Sequence, residues 1–159
     1  MSHPNIVAVQ DALHAAGADG KVRVLPEAVH TAAAAAEALG VTVGQIANSL
    51  IFAAVYDGEP EPLLVLTSGA HRVDTGRVAE LLGAATVKRA TPEFVRAHTG
   101  QPIGGVAPVG HPAPVRTLVD TALAEYGTIW AAGGIPQAVF PTSYDELLRL
   151  TGGRPARVA

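Results

Sequence analysis

The amino-acid sequence predicts a single α+β domain, with a mixed, mostly antiparallel sheet curled into a partial barrel and helices around it. Three observations lead to this prediction. The chain of 159 residues is long enough for one core, and 48% of its residues are hydrophobic. Two β-rich runs form a clear hairpin. Single helices separate the predicted strands without the regular β-α-β-α order of a doubly wound fold.

Capping residues and glycines mark the predicted helices. Helices commonly begin at Ser, Thr or Asp caps and end at a left-handed Gly. The first helix, in "NIVAVQDALHAAG", carries Ile6, Val9 and Leu13 on one face. Four further segments show the cap and the final glycine: "TAAAAAEALG", "VDTGRVAELLG", "TPEFVRAHTG" and "SYDELLRLTGG". A capping box of Thr42 and Gln45 predicts another short helix that ends near Asn48.

Alternating and β-branched runs mark the predicted strands. The hairpin lies in "SLIFAAVYDGEPEPLLVLTSG", with a loop that starts at Asp57 and Gly58. Shorter strands are predicted in "KVRVLP", "ATVKRA", "VRTLVD", "TIWAAGG" and "QAVFPT", and a turn or short helix in "TALAEYG". No element is predicted for the last few residues.

The composition excludes several classes of protein. No apolar run approaches the roughly 20 residues that span a bilayer, and the N-terminus lacks the pattern of a signal peptide. We therefore expect a cytoplasmic protein with no membrane partner. The absence of cysteine excludes disulfides, thiol nucleophiles and thiolate metal sites.

The charge is unevenly distributed. The net charge of −3 argues against a general nucleic-acid coat protein, and no DNA partner is expected. Residues 71–116 nevertheless carry a net charge of +3, from six basic and three acidic residues. The basic residues are Arg72, Arg77, Lys88, Arg89, Arg96 and Arg116. This excess reflects either random surface patterning or a basic face for an anionic partner.

Conventional catalytic and cofactor motifs are absent. The sequence has no Gly-rich dinucleotide loop and no Gly-Lys-Ser/Thr phosphate loop, so no cofactor is expected. The six histidines show no metal-ligand spacing, so no metal site is expected. None of the four serines lies in a Gly-x-Ser-x-Gly elbow.

The segment "GGVAPVGHPAP", residues 104–114, offers backbone in place of side chains. Glycine lets a ligand approach the main chain, and successive N–H groups can bind a carbonyl or an oxyanion. Flanking prolines stiffen such a loop. The alternative is that these glycines and prolines only form tight turns.

Seven motifs occur in order between about residues 20 and 153: "IANSLIF", "LLVLTSG", "HRVDTGRVAELLGA", "GGVAPVGH", "VRTLVD", "TIWAAGG" and "SYDELLRLTGG". Together they resemble the YbaK-like aminoacyl-tRNA deacylases, which are related to the editing domain inserted in bacterial prolyl-tRNA synthetases. The resemblance implies one editing domain over residues 1–159. It also implies a trans-editing enzyme that hydrolyses the ester of a mischarged tRNA, with the tRNA acceptor end as its partner.

In the family, a Gly-x-x-x-Pro loop orients the aminoacyl ester, and hydrolysis is largely assisted by the ribose hydroxyl of the substrate. The resemblance therefore assigns catalytic roles to Asn48, Gly104, Gly105 and Pro108. Substrate binding is expected for a larger set of residues, for which the alternative is an ordinary place in the core or in a turn. That set comprises Ser49, Leu50, Phe52, Thr67, Ser68, Val106, Ala107, His111, Asp120, Gly133 and Gly134.

The sequence departs from the family pattern at Asn48, where the family usually has a lysine. Asparagine can donate a hydrogen bond but carries no positive charge. Three interpretations stay open: a subfamily with another aminoacyl-tRNA substrate, a weak deacylase, or a non-catalytic module that binds an aminoacyl-tRNA end, a nucleotide or a small metabolite. The amino acid, the tRNA and the oligomeric state are also open.

Overall fold

In the described residues, four of the helices begin and end at the predicted caps, and the first is capped by His3 and Ala16. The computed structural model describes residues 3–159, and five α-helices occur there: α1 (Pro4–Ala15), α2 (Ala32–Leu39), α3 (Thr75–Leu82), α4 (Pro92–Thr99) and α5 (Tyr144–Thr151). Thr31, Asp74 and Thr91 accept hydrogen bonds from N–H groups in the first turns of α2, α3 and α4. Within the described residues no helix has the length and hydropathy needed to cross a bilayer.

Over the same residues, eight strands form one sheet: β1 (Arg23–Val24), β2 (Ile46–Val55), β3 (Glu61–Ser68), β4 (Thr86–Arg89), β5 (Arg116–Asp120), β6 (Ile129–Ala132), β7 (Ala138–Thr142) and β8 (Arg154–Ala156). The predicted short helix at the Thr42/Gln45 capping box is present as a 3₁₀ helix over Val43–Gln45. Its predicted end near Asn48 is wrong, because β2 begins at Ile46. Pairing with two neighbouring strands replaces the helical hydrogen bonds there. Strand β8 was not predicted from the sequence, since only its pairing with β5 defines it.

The sheet is mixed and open. The strand order is β1-β7-β6-β2-β3-β5-β8, and β4 pairs with β2 beside this path. Four strand pairs are antiparallel and three are parallel. The short strands β1 and β8 form the two edges. The predicted fold class, a single α+β domain with an unclosed mixed sheet, is confirmed.

Helices cover both faces of the sheet. On one face, Leu64 and Leu66 of β3 pack in a core with residues of α1, α4 and α5. On the other face, Leu63 and Val65 pack against α3, while Ile46 of β2 packs against α2. Because neighbouring side chains along a strand point to opposite faces, this arrangement also places Asn48 on the α2/α3 face and Ser49 on the α1/α4/α5 face.

One edge of β2 is shared by two strands that do not meet. Strand β6 pairs with β2 only at Ile46 and Ala47, and β4 pairs with it only from Phe52 onward. The sheet therefore divides along β2 and leaves a gap beside residues 48–50. We call this gap the fork. The fork is where the structure opens toward solvent.

Candidate active site

Two connected clefts open at the fork. The inner chamber, with a volume of about 470 Å³, lies between β2, β6, β7 and the start of α2. The outer cleft, with a volume of about 1580 Å³, extends from the fork toward the start of α3 and the end of β4. Seven residues line both spaces: His30, Thr31, Ala32, Asn48, Ser49, Gly104 and Val106. The two clefts therefore form one continuous site. We call the part of it that these seven residues line the throat.

The inner chamber is apolar and lined largely by small side chains. Its walls include Ala35, Ala132 and Val139, and Trp130 supplies the one large aromatic surface. Among the described residues that line it, His30 is the only titratable one. A chamber of this kind favours an aliphatic group.

The outer cleft is basic. His30, His71, Arg72 and Arg89 line it, and none of its lining residues in the described part of the chain is acidic. Within residues 3–159, neither of these arginines forms a salt bridge. Exposed guanidinium groups of this kind are suited to phosphate oxygens. The predicted basic segment thus contributes two arginines to this cleft, whereas Arg116 donates a hydrogen bond to Tyr56 elsewhere on the surface.

Ser49 presents several polar atoms at the fork. Gly69 donates to the carbonyl of Ile46, and Ala90 donates to the carbonyl of Ile51, on opposite edges of β2. Backbone groups alternate between the two edges of a strand, so the N–H and C=O of Ser49 point into the gap between β6 and β4. The Ser49 hydroxyl is also buried and has no hydrogen-bond partner in the described chain. A buried polar atom without a partner is costly, so a ligand that pairs with it gains affinity.

The segment of residues 104–114, which we call the glycine loop, reaches this throat with two of its residues. Gly104 and Val106 line both clefts, and within residues 3–159 their N–H groups have no hydrogen-bond acceptor. Gly104 has φ +88°, a left-handed conformation that favours glycine. Its neighbour Gly105 faces away, because a Cβ there would lie 2.5 Å from the carbonyl carbon of Ile135. Substitution of Gly105 would therefore perturb packing in addition to any effect on a ligand.

Buried polar groups hold the loop in place. The Ala107 N–H donates to Oε1 of Gln101 at 2.7 Å, and Nε2 of Gln101 donates to the Val109 carbonyl at 3.3 Å. Nε2 of His111 lies 2.7 Å from the Ala107 carbonyl. Burial lowers the pKa of His111 below its ordinary value, although the hydrogen bond to Ala107 opposes this effect. Ala107, Pro108 and His111 line neither cleft and support the loop from behind.

Asp120 is the centre of a second polar cluster. Its Oδ2 accepts from the Ser68 N–H at 3.0 Å and lies 3.3 Å from the Thr67 hydroxyl, and its Oδ1 accepts from the Ala122 N–H at 3.0 Å. Nδ1 of His71 lies 2.9 Å from the same Oδ2. Thr67, Ser68 and Asp120 are all buried, and none of the three lines the chamber or the outer cleft.

The remaining predicted residues fall into two groups. Leu50 and Phe52 line the outer cleft. Gly133 and Gly134 lie behind the chamber wall, where the Gly134 carbonyl accepts a hydrogen bond from the Asn5 side chain. The structure thus brings together Asn48, Ser49, Leu50, Phe52, Gly104 and Val106 in one site.

Three residues at or beside the site were assigned no role from the sequence: His30, His71 and Gln101. Arg72 and Arg89 were named only as members of the basic segment, and this was a usable signal. His71 opens the motif "HRVDTGRVAELLGA", whereas His30 and Gln101 belong to no quoted motif. No three His, Asp or Glu side chains come together as a metal site anywhere in residues 3–159.

Comparisons with known proteins identify the family. A family model for the aminoacyl-tRNA editing domain matches residues 26–150. The solved structure of a proposed trans-editing enzyme for prolyl tRNA synthetase is 42% identical, with a TM-score of 0.88 and coverage of 99% of this chain and 98% of that one. The chain belongs to the family of aminoacyl-tRNA editing domains.

Two curated relatives show how the domain occurs elsewhere. A proline–tRNA ligase of Nitratidesulfovibrio vulgaris (strain DP4) is 38% identical over 104 residues, which make up 65% of this chain and 17% of the ligase. YwhH of Bacillus subtilis (strain 168), an uncharacterized protein, is 28% identical over 71% of this chain and 69% of its own length. The chain therefore spans about a sixth of the ligase, and its resemblance to the synthetase editing domain is confirmed.

Proposed function

We propose that this protein is a trans-editing aminoacyl-tRNA deacylase, which hydrolyses the ester between a wrong amino acid and the end of a tRNA. The observation that carries the proposal is the shared throat. There, an uncharged chamber meets a basic cleft beside unpaired main-chain groups. An aminoacyl ester has the matching parts, namely a side chain, a carbonyl and a phosphate-bearing nucleotide.

Each part of the substrate has a place in this arrangement. The amino-acid side chain occupies the inner chamber. The ester carbonyl lies at the throat, within reach of the N–H groups of Gly104 and Val106. The acceptor end of the tRNA lies in the outer cleft, where Arg72 and Arg89 neutralise phosphates. Cytoplasmic location follows from this substrate and is part of the proposal.

The chemistry requires little from side chains. An ester is already activated, and main-chain donors aimed at the developing oxyanion supply electrostatic stabilisation. The ribose hydroxyl beside the ester assists the hydrolysis, and the site orients it together with water. In this proposal Asn48, Gly104 and Val106 act on the ester through orientation and hydrogen bonding, and Gly105 and Pro108 contribute by holding the shape of the loop. No pair of carboxylates lines either space in the described chain.

A second candidate function is a non-catalytic module that binds an aminoacyl-tRNA end, a nucleotide or a small metabolite. The observation that favours it is Asn48, which lines both spaces at the throat and brings no positive charge there. An uncharged amide can hold a ligand without stabilising a negative transition state.

We extend the editing domain to residues 1–159. Helix α1 and strand β8 lie outside the matched residues 26–150. Val9 and Leu13 of α1 are nevertheless fully buried in the main core, and Val158 is fully buried beyond β8. Truncation to the matched range would remove these core residues.

Incubation with a panel of mischarged tRNAs tests the proposal, with loss of the labelled ester as the measurement. We expect hydrolysis of esters of small aliphatic amino acids above the buffer rate. The substitution Asn48→Lys adds a cation at the throat and should raise the rate, while Asn48→Ala controls for loss of the amide. Measurable tRNA binding without hydrolysis of any ester would establish the binding module instead.

A further inference from the structure

We propose that the main chain of Ser49 recognises the aminoacyl group, by binding its free α-amino group and its ester carbonyl as a neighbouring strand would be bound. The inference rests on the proposed deacylase function and names its substrate class, which is esters of amino acids with an unblocked α-amino group. The carrying observation is that the N–H and C=O of Ser49 both point into the fork and have no hydrogen-bond partner in the described residues.

The pairing pattern of β2 leaves Ser49 alone at this edge. Its two neighbours in sequence direct their main-chain groups toward β3. Ser49 directs its own groups toward the opposite edge, where β6 pairs with β2 only as far as Ala47 and β4 begins to pair at Phe52. The gap beside residues 48–50 corresponds to roughly 10 Å of strand. One further residue in an extended conformation fits this length.

An α-aminoacyl group has the polar groups of one such residue. In an antiparallel sheet, two hydrogen-bonded residues each donate with the N–H and accept with the C=O. The Ser49 N–H accordingly donates to the ester carbonyl, and the α-amino group donates to the Ser49 C=O. A carbonyl oxygen has two lone pairs, so the same ester oxygen also accepts from the glycine loop. Ser49 lines the throat together with Gly104 and Val106, where the proposed function places this carbonyl.

The surroundings favour a main-chain acceptor for the amino group. A protonated α-amino group forms a charge-assisted hydrogen bond with a carbonyl. Among the described residues, no aspartate or glutamate lines the chamber or the outer cleft. The side-chain acceptors next to the Ser49 carbonyl are the Asn48 amide and the unpartnered hydroxyl of Ser49 itself. The carbonyl, which has no partner in the described chain, gains a hydrogen bond when the substrate enters.

This arrangement selects against blocked amino groups. An acyl group on the α-nitrogen removes the positive charge, leaves a single N–H and adds bulk in the gap between β6 and β4. Formylated aminoacyl-tRNA and peptidyl-tRNA should therefore be poor substrates. The deacylase would remove a wrong amino acid before it enters a peptide and would spare the peptide afterwards.

A series of esters on one tRNA tests the inference with the wild-type protein. The esters are alanyl, propionyl, which lacks only the amino group, and N-acetylalanyl. Each rate is divided by the rate of the same ester in buffer, because the α-amino group also changes intrinsic reactivity. We expect this rate enhancement to fall about tenfold or more for both the propionyl and the N-acetylalanyl ester.

The outcomes of this series distinguish the two proposals. Equal enhancement for the alanyl and propionyl esters overturns recognition of the amino group and leaves the deacylase proposal standing. A loss confined to the N-acetylalanyl ester shows steric exclusion alone and also overturns the inference. A wild-type protein that hydrolyses no mischarged tRNA overturns both proposals.

Two variants separate the main chain from the adjacent side chains. Asn48→Ala and Ser49→Ala each remove a side-chain acceptor and leave the main chain of residue 49 in place. Both variants should keep the preference for the alanyl over the propionyl ester, whatever their overall rates. Loss of the preference in either variant would assign the amino group to that side chain and overturn the role of the main chain.

A stable analogue reports on the main chain directly. In 3′-alanylamido-3′-deoxyadenosine an amide replaces the ester, and the propionyl counterpart lacks only the amino group. The carbonyl carbon resonance of Ser49 should shift on addition of the alanyl analogue and much less with the propionyl one. The Leu50 carbonyl, which faces β3, is the matched control and should not distinguish the two. Equal responses of Ser49 to the two analogues would overturn the inference.

Discussion

The inner chamber and the outer cleft share a throat but differ in nearly every other property. The chamber is small and lined largely by alanines and valines, and within residues 3–159 His30 is its only titratable lining residue. The outer cleft is about three times larger and is lined by two arginines and two histidines. Such a division suits a ligand with one apolar and one anionic end. It implies that substitutions in the two regions change different steps of recognition.

The largest expected effect comes from filling the chamber. Ala132 is half-buried on β6 and lines the chamber, so Ala132→Leu places three additional carbons in the space for the amino-acid side chain. Steric exclusion of this kind weakens binding of the transition state by roughly 1–3 kcal/mol. We expect kcat/KM to fall about 100-fold for esters of larger aliphatic amino acids and much less for alanyl esters. Deacylation rates across a series of aliphatic acyl groups measure the change.

A matched substitution controls for general effects of added leucine. Ala33 is exposed on α2, one residue from the chamber-lining Ala32. Ala33→Leu should leave the order of preferred acyl groups unchanged. An equal loss of activity for all acyl groups in Ala132→Leu would show that the chamber does not select the amino acid.

A smaller effect should follow from removing charge in the outer cleft. The double substitution Arg72→Ala and Arg89→Ala deletes two cations that have no salt-bridge partner in residues 3–159. We expect tRNA affinity to fall about tenfold, and the salt dependence of binding to weaken by about 0.7 in log–log slope for each arginine. The order of preferred acyl groups should not change. Binding titrations at several salt concentrations give both quantities.

Arg77 provides the comparison for this experiment. It is exposed on α3 and lines neither space. If Arg77→Ala weakens binding as much as each cleft arginine does, the effect is one of net charge, and the outer cleft has no special role.

The sequence predicted the features that depend on neighbours along the chain. The cap Thr91, for example, bonds to the N–H of Phe94 only three residues away, and this pattern is visible in the sequence. The fork was not predictable in this way. It exists because β6 and β4, which lie far apart in the sequence, each cover only part of the same edge of β2.

The site residues show the same limit. Resemblance to a family indicated Asn48, Ser49, Gly104 and Val106, which the structure brings together at the throat. It gave no reason to connect His71 with Asp120, 49 positions away. The unpartnered hydroxyl of Ser49 was equally invisible, since an unsatisfied atom is recognised only when its surroundings are known.

The smallest expected effect concerns the loop that both regions share. Burial lowers the pKa of His111 below the ordinary value of 6.5, so the folded state disfavours the protonated ring. Below about pH 6.5 the unfolded chain binds this proton more readily than the folded chain does. The free energy of unfolding therefore decreases as the pH falls, by at most about 1.4 kcal/mol per pH unit, until the folded ring is also protonated. His111→Gln keeps a donor for the Ala107 carbonyl and cannot titrate. Chemical denaturation between pH 7.5 and 5 should show equal stabilities at the upper end and a growing deficit of the wild type on acidification. If the stabilities of the wild type and the variant change in parallel with pH, His111 accepts its proton equally in the folded and unfolded states. The loop is then not sensitive to protonation of His111.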